Sequence, residues 1–164
     1  MVGREHRVVI RKSLKSVLVQ IVDYLPDGDK VIASAHSREL KKYGLPYNNS
    51  NIVVAYLTGL LCGVKVQKAG IKSGIVDFGL QKAHPKGKLM AVVKGLADSG
   101  FKVPVNENAV PDEDRINGKH IATYAQQTDE TQNGFSGYKS ANITVTDLPK
   151  IVEQVKEKIL AENK

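Results

Sequence analysis

The stretch that most constrains the fold is 50–100, in which two apolar helical segments flank a short strand and a basic loop. In the first segment Ala55, Gly59 and Gly63 recur every four residues, so they share one face of a helix. Each glycine inside a helix costs roughly 1 kcal/mol relative to alanine. Close approach to a neighbouring sheet is the simplest compensation. We therefore expect this helix, ended by Gly70, to pack tightly against a sheet.

A short strand is predicted between the two helices, over 74–79, with glycine at each end. A strand that follows one helix and precedes another normally pairs in parallel with at least one neighbour and is covered on both faces. The segment 50–100 therefore predicts an α/β fold.

The loop 80–88 carries Lys82, His84, Lys86 and Lys88 and contains no acidic residue. It follows the carboxyl end of the strand and leads into the second helix. Open α/β sheets bind ligands at that edge, and the first N–H groups of a helix favour anions. The loop is either a surface that contacts phosphates or a solvated turn with incidental lysines.

The remaining strands and helices predict a mixed sheet followed by a helical extension. Three strands, 7–11, 16–24 and 30–35, form an antiparallel meander with a turn at 26–29. A last short strand is expected at 101–105. We then expect a helix that is capped by Asp112 or Asp114 and carries the apolar residues Ile116, Ile121 and Tyr124. An amphipathic helix should begin near 147 and dock either on the domain or on a neighbour. We divide the chain into an α/β core, 1–105, and a mostly helical C-terminal extension, 106–164.

Charge is distributed unevenly along the 164 residues, whose net charge is +7 and whose isoelectric point is near 9.4. The first twenty residues are basic, with Arg4, Arg7, Arg11, Lys12 and Lys15 against a single glutamate. The segment 106–130 is predominantly acidic, with Glu107, Asp112, Glu113, Asp114, Asp129 and Glu130. This separation indicates an oriented partner, and the net positive charge meets the electrostatic criterion for a nucleic-acid binder, a criterion that many basic proteins of other function also meet.

Other classes of function have little support in the sequence. The single cysteine, Cys62, cannot form a disulfide within the chain, and the four histidines show no metal-ligand spacing. We expect no cofactor, no membrane span and no signal peptide, and hence a cytoplasmic location. The order of elements resembles ribonuclease H, whose metals need several carboxylates at the strand ends. A metal-dependent ribonuclease-H-like nuclease is therefore the alternative function. Against it, Asp77 is the one carboxylate at a suitable strand end, and we expect it to cap the following loop.

Five short motifs occur in an order that resembles the archaeal and eukaryotic branch of the large-subunit ribosomal protein L-eighteen family. The likeness covers nearly the whole chain. The motifs are Ala35-His36-Ser37, Ala55-Tyr56-Leu57-Thr58-Gly59-Leu60-Leu61, Asp77-Phe78-Gly79-Leu80, Gly118-Lys119-His120-Ile121-Ala122 and Phe135-Ser136-Gly137.

The resemblance implies a ribonuclease-H-like α/β fold and a structural, non-catalytic role. The expected partners are 5S ribosomal RNA, large-subunit ribosomal RNA and neighbouring proteins of the central protuberance, including the L-five type. The turn between the first two strands and the loop after the central strand would contact RNA. The expected RNA-binding residues are Arg4, Arg7, Arg11, Lys12, Ser13, Lys15, Gln81, Lys82, His84, Lys86 and Lys88. Lys82, Lys86 and Lys88 are expected to contact phosphates.

The N-terminal sequence departs from the pattern of the family. This branch usually carries an arginine-rich arm before the first strand, whereas Gly3-Arg4-Glu5-His6-Arg7 leads almost directly into it. We therefore expect Met1 to be an internal methionine of a longer natural protein.

Overall fold

The computed structural model of the protein describes residues 5–45, 50–127, 135, 138 and 144–162. Arg4, Asp129, Glu130, Ser136 and Gly137, all named above, lie outside the described residues. The strands are β1 (Arg7–Lys12), β2 (Val17–Asp23), β3 (Lys30–His36) and β4 (Ile75–Asp77). The α-helices are α1 (Ile52–Lys68), α2 (Lys88–Asp98), α3 (Glu113–Ile116), α4 (Lys119–Gln127) and α5 (Leu148–Ala161), with 3-10 helices at Ser37–Tyr43, Glu107–Ala109 and Val145–Asp147.

The four strands form one mixed sheet in the order β3-β2-β1-β4. β1 pairs antiparallel with β2, where Ile10 lies opposite Val19, and β2 pairs antiparallel with β3. β4 lies parallel to β1, with Val76 beside Val8. The structure confirms the predicted antiparallel meander of β1, β2 and β3. It also confirms that β4, the strand between the two helices, pairs in parallel with a neighbour.

The core lies on one face of this sheet. Val8, Ile10 and Val19 are completely buried, whereas Arg11 on the opposite face is exposed. α1 packs against β2 and β3, and α2 packs against α1 and β1. Ile75 of β4 is 50% exposed. The expectation that β4 is covered on both faces is therefore wrong within the described part of the chain, because α1 and α2 pack together on one side.

Gly59 and Gly63 of α1 face α2 and its C-terminal end rather than the sheet. A Cβ added to Gly59 would lie 2.2 Å from the Val92 carbonyl oxygen of α2, and one added to Gly95 would lie 2.1 Å from the Tyr56 carbonyl oxygen of α1. Asn51 caps α1 by accepting the Val54 N–H at 2.9 Å. The glycine spacing correctly indicates close backbone approach, but the predicted partner was wrong because α2 lies over this face.

The predicted strand at 101–105 is reduced to a single bridge. Lys102 pairs in parallel with Ser73, and the Lys102 N–H donates to the Lys72 carbonyl at 2.9 Å. Pro104 has no N–H with which to continue the ladder. Phe101 is nevertheless buried in the core.

The segment after residue 106 also differs from the prediction. The expected single helix is divided into α3 and α4 at Gly118, whose φ of 78° lies in the left-handed region and breaks the helix. α5 docks on the rest of the domain, which was one of the two predicted alternatives; the other was docking on a neighbouring protein. Its Val152, Val155 and Ile159 are buried in the same core as α1.

In the described residues we find no helix long and apolar enough to cross a membrane.

Candidate nucleic-acid interface

The turn between β1 and β2 is held by hydrogen bonds that leave its tip free. The Ser13 N–H donates to the Ser16 carbonyl at 2.8 Å, and the Ser16 N–H donates to Ser13 Oγ at 2.9 Å. The two hydroxyl oxygens lie 2.7 Å apart. Because Ser13 closes the base of the turn, Leu14 and Lys15 lie at its tip, where both are exposed.

The carboxyl end of β4 forms the second side of the site. The Gly79 N–H donates to Asp77 Oδ1 at 2.7 Å, so Asp77 caps the loop as predicted. Arg11 Nη1 donates to the carbonyl oxygens of Asp77 at 3.1 Å and Ile10 at 2.9 Å. Gly79 has a φ of 59°, and a Cβ there would lie 3.1 Å from Arg11 Cζ. The Arg11 guanidinium is thus packed against the loop.

These contacts bear on the nuclease alternative, which needs several carboxylates around a metal. Asp77 is engaged with Gly79 and lies 3.9 Å from both Arg7 and Arg11. Among the described residues, no group of three or more His, Cys, Asp or Glu side chains is placed to hold a metal ion. The geometry at this strand end is that of a capped loop beside two arginines.

Gln81 joins the two loops. Its Oε1 accepts the Lys12 N–H at 3.2 Å, and its Nε2 donates to the Ile10 carbonyl at 3.0 Å and the Phe78 carbonyl at 3.3 Å. Residues far apart in the chain are thereby fixed side by side. We call residues 11–15 together with 80–88 the basic loop pair.

The later part of the loop is a tight turn. The Gly87 N–H donates to the His84 carbonyl at 3.1 Å, and Lys86 has a φ of 56°, which is rare outside glycine. The Lys86 N–H donates to the Ala109 carbonyl at 2.7 Å, and Lys86 Nζ contacts Asp112 Oδ1 at 3.0 Å. Lys86 is therefore tied to the acidic segment, whereas the His84 ring is exposed.

Lys88 begins α2 directly after Gly87, which caps the helix without a side-chain hydrogen bond. Partial burial lowers the pKa of Lys88, and the nearby positive charge of Lys12 lowers it further. Two neighbouring cations at a helix N-terminus favour the binding of an anion there.

The structure brings together most of the predicted RNA-binding residues. Lys12, Lys15, Lys82 and Lys88 form no ion pair within 4.0 Å with any described residue, so their charges are available to a ligand. Arg7 lies at the opposite end of β1, where it contacts Asp29 and is 3.9 Å from Asp77. Among the described residues that were predicted to bind RNA, Arg7 alone lies outside the basic loop pair, although it approaches Asp77 at the end of β4.

Two features of the site were not predicted from the sequence: the exposure of two leucines and a contact between Lys86 and Asp112. Leu14 and Leu80 are almost fully exposed within the basic loop pair. Their positions in short polar loops could have indicated this, because an apolar residue at the tip of a turn has nothing to pack against. The contact between Lys86 and Asp112 joins residues 26 positions apart and had no local signal.

Comparisons with known proteins point to a single family. Residues 3–74 match the profile of the family described as ribosomal large subunit proteins 60S L5, and 50S L18. The chain is 46% identical over 164 residues to the large ribosomal subunit protein uL18 of Staphylothermus marinus, covering 96% of this chain and 81% of that protein.

Two further relatives carry the same description. The uL18 protein of Ignicoccus hospitalis is 42% identical over 168 residues, covering 99% of this chain and 82% of its own. The uL18 protein of Methanobrevibacter smithii is 41% identical over 155 residues, covering 93% of this chain and 80% of its own. The similarity therefore extends through the C-terminal helices and is not restricted to the sheet.

Proposed function

Because the chain belongs to the family of large-subunit ribosomal proteins that includes 60S L5 and 50S L18, we propose that it binds 5S ribosomal RNA through the basic loop pair. Its role in the large ribosomal subunit is structural and non-enzymatic. The observation that carries the proposal is a set of four lysines on two loops joined by Gln81 that form no ion pair with any residue the structure describes: Lys12, Lys15, Lys82 and Lys88.

This arrangement suits a phosphate backbone. Lysine and arginine side chains that neutralise phosphates release counterions, which supplies a large share of the affinity. Phosphate contacts also set the position and orientation of the protein on the nucleic acid. The hydrogen bonds of Gln81 and Arg11 hold the two loops in fixed register, so little conformational entropy is lost when the RNA binds.

The other members of the predicted surface take different parts in this proposal. Ser13 shapes the β1–β2 turn, and Gln81 holds the loops together. His84 is exposed beside the lysines and is available to a phosphate or a 2′-hydroxyl. Lys86 reaches a phosphate once it releases Asp112. The roles of Arg4 and Arg7 are carried over from the family resemblance.

The proposed partners extend beyond 5S RNA. Large-subunit ribosomal RNA and proteins of the central protuberance, including one of the L-five type, would surround the protein in the ribosome. The acidic residues Glu113 and Asp114, which follow the Asp112 that pairs with Lys86, are suited to a basic protein neighbour.

We also propose a ribonuclease-H-like assignment for the fold. The strand order β3-β2-β1-β4, with three antiparallel strands and a fourth parallel to β1 after a helical crossover, supports it. The parallel bridge between Ser73 and Lys102 adds the beginning of a further strand beside β4. We also propose the division into a core, 1–105, and an extension, 106–164, because the four strands lie in the first part and the described elements of the second part are helices.

A titration of RNA binding against salt tests the function. The probe is a 5S RNA transcript of Staphylothermus marinus, with transfer RNA as competitor. Lys12→Ala, Lys82→Ala and Lys88→Ala combined should weaken binding and flatten the log–log salt slope by about 2–3, since each phosphate contact contributes roughly 0.7–0.9.

The control variant removes three exposed lysines elsewhere on the protein, Lys30, Lys119 and Lys150, so that the net charge changes equally. This control variant should keep most of the affinity and the slope. Equal losses in the two triple variants would show that binding follows net charge alone. A wild-type protein that does not prefer the 5S transcript over transfer RNA would refute the proposed function.

A further inference from the structure

Two leucines at the tips of the basic loop pair have no partner within the described part of the domain. Leu14 is 94% exposed and Leu80 is 108% exposed, the highest values among the large apolar side chains described. Leucine is normally a core residue, and in solvent it contributes nothing to the stability of the fold.

Both leucines are carried by ordered loops. Leu14 is presented by the hydrogen-bonded turn that Ser13 and Ser16 close. Leu80 lies between Gly79, which packs against the Arg11 guanidinium, and Gln81, which is bonded to the other loop. Hydrogen bonds and contacts of the neighbouring residues therefore hold both leucines in exposed positions.

The surroundings of the leucines indicate what covers them. Lys12 and Lys15 flank Leu14, and Lys82 follows Leu80 by two residues. None of these lysines forms an ion pair with a described residue. An apolar protein surface that covered the leucines would also have to desolvate unpaired cations, which is unfavourable. A polyanion that also has apolar faces can pair with the lysines and cover the leucines at the same time.

Resting on the proposed function, we propose that Leu14 and Leu80 recognise unpaired nucleotides of the bound RNA. The lysines would bind the phosphates on either side, and each leucine would cover the face of an unstacked base or its ribose. In a regular A-form helix the bases are stacked and the major groove is too narrow for side chains. The leucines would thus select irregular RNA over continuous duplex.

The test compares two RNA probes, the 5S transcript of Staphylothermus marinus and a fully paired RNA duplex. The variant is Leu14→Ser combined with Leu80→Ser, and the control is Leu25→Ser, an exposed leucine after β2. The double variant should bind the transcript about tenfold more weakly, equivalent to ~1.4 kcal/mol. Its affinity for duplex, salt slope and melting temperature should match those of wild type and of the control.

Each alternative result has a separate meaning. Unchanged affinity for the transcript, as expected if a protein covers the leucines in the ribosome, would overturn the inference and leave the proposed RNA function standing. An equal loss on transcript and duplex would also overturn it, because the leucines would not select unpaired RNA. If wild type bound the transcript no better than duplex, the proposed function would fail together with the inference. The single variant Leu80→Ser repeats the test should the double variant unfold.

Discussion

Gln81 accepts the backbone N–H of Lys12 at 3.2 Å through its side-chain oxygen, across 69 positions of sequence. The amide nitrogen of the same side chain donates to the Ile10 carbonyl at 3.0 Å. One uncharged residue therefore sets the relative position of two cationic loops. Recognition at this site depends on geometry as well as charge, and the two contributions can be separated experimentally.

Gln81→Ala should weaken RNA binding without changing its salt dependence. The variant removes no charge but releases the loop 80–88 from β1, so binding must order the loops again. We expect a loss of about 0.5–1.5 kcal/mol in stability, the usual net value of a hydrogen bond, and an affinity several-fold lower. Urea unfolding and RNA titration measure the two effects. Gln126→Ala, on α4, is the control, and a flattened salt slope in the Gln81 variant would contradict the positioning role.

Gly59→Ala should destabilise the fold although alanine favours helices. The added methyl group would lie 2.2 Å from the Val92 carbonyl oxygen, so α1 and α2 would have to separate. Overpacking of this kind costs about 1–3 kcal/mol, which exceeds the gain of roughly 1 kcal/mol in helix propensity. The free energy of unfolding in urea measures the balance. A more stable variant would show that the two helices are not in close contact.

The pair formed by Glu39 and Lys65 should make stability depend on pH. Burial raises the pKa of Glu39, but the hydrogen bonds from Lys65 and from the His36 N–H outweigh it, and the pKa is lowered from 4.5. A lowered pKa means that the carboxylate stabilises the fold above about pH 4.5 and loses this contribution as the pH falls through its folded-state pKa.

Glu39→Gln keeps an acceptor for the His36 N–H and removes the charge. We expect a loss of about 0.5–1 kcal/mol at neutral pH, the range of partly exposed ion pairs. The difference from wild type should shrink as the pH falls below the ordinary pKa of glutamate. Unfolding free energies measured across this range test the sign. A constant difference at all pH values would show that the charge is not involved.

The sequence predicted the local structure around β4 better than it predicted the packing of the helices. The strand β4, the cap formed by Asp77 and the basic loop follow from local patterns, and the structure shows them where expected. The spacing of Gly59 and Gly63 predicted that another backbone would approach α1 closely. It could not identify that neighbour, because a helix and a sheet can both pack against a helix face that lacks side chains. Gln81 appeared as one polar residue among several, since no local rule reveals a hydrogen bond to a distant strand.

The lowered pKa of Lys88 predicts an effect of alkaline pH on RNA binding. Partial burial and the charge of Lys12 both favour the neutral amine, so the pKa of Lys88 lies below the ordinary value for lysine. Affinity should therefore fall more in wild type than in Lys88→Arg as the pH rises towards the ordinary pKa of lysine, because arginine stays charged. Binding titrations at constant ionic strength test this. Identical pH profiles would indicate that Lys88 does not contact a phosphate.

Asp112 should limit the RNA affinity of the loop by holding Lys86. The two Oδ atoms of Asp112 lie 3.0 and 3.2 Å from Lys86 Nζ. Both side chains are largely exposed, and such pairs contribute at most about 1 kcal/mol, so a phosphate can displace the carboxylate. Asp112→Asn would free Lys86 and remove a negative charge beside the RNA.

We expect affinity for 5S RNA to rise about two- to fivefold in Asp112→Asn, and the salt slope to steepen by up to roughly 0.7–0.9, the value of one phosphate contact. Asp114→Asn is the matched control, because it releases Lys119 from a comparable exposed pair at 2.7 Å. Lys86→Ala in the Asp112→Asn background should cancel the gain. If the two aspartate variants raised affinity equally, the effect would be one of net charge, and Lys86 would not be a latent RNA contact.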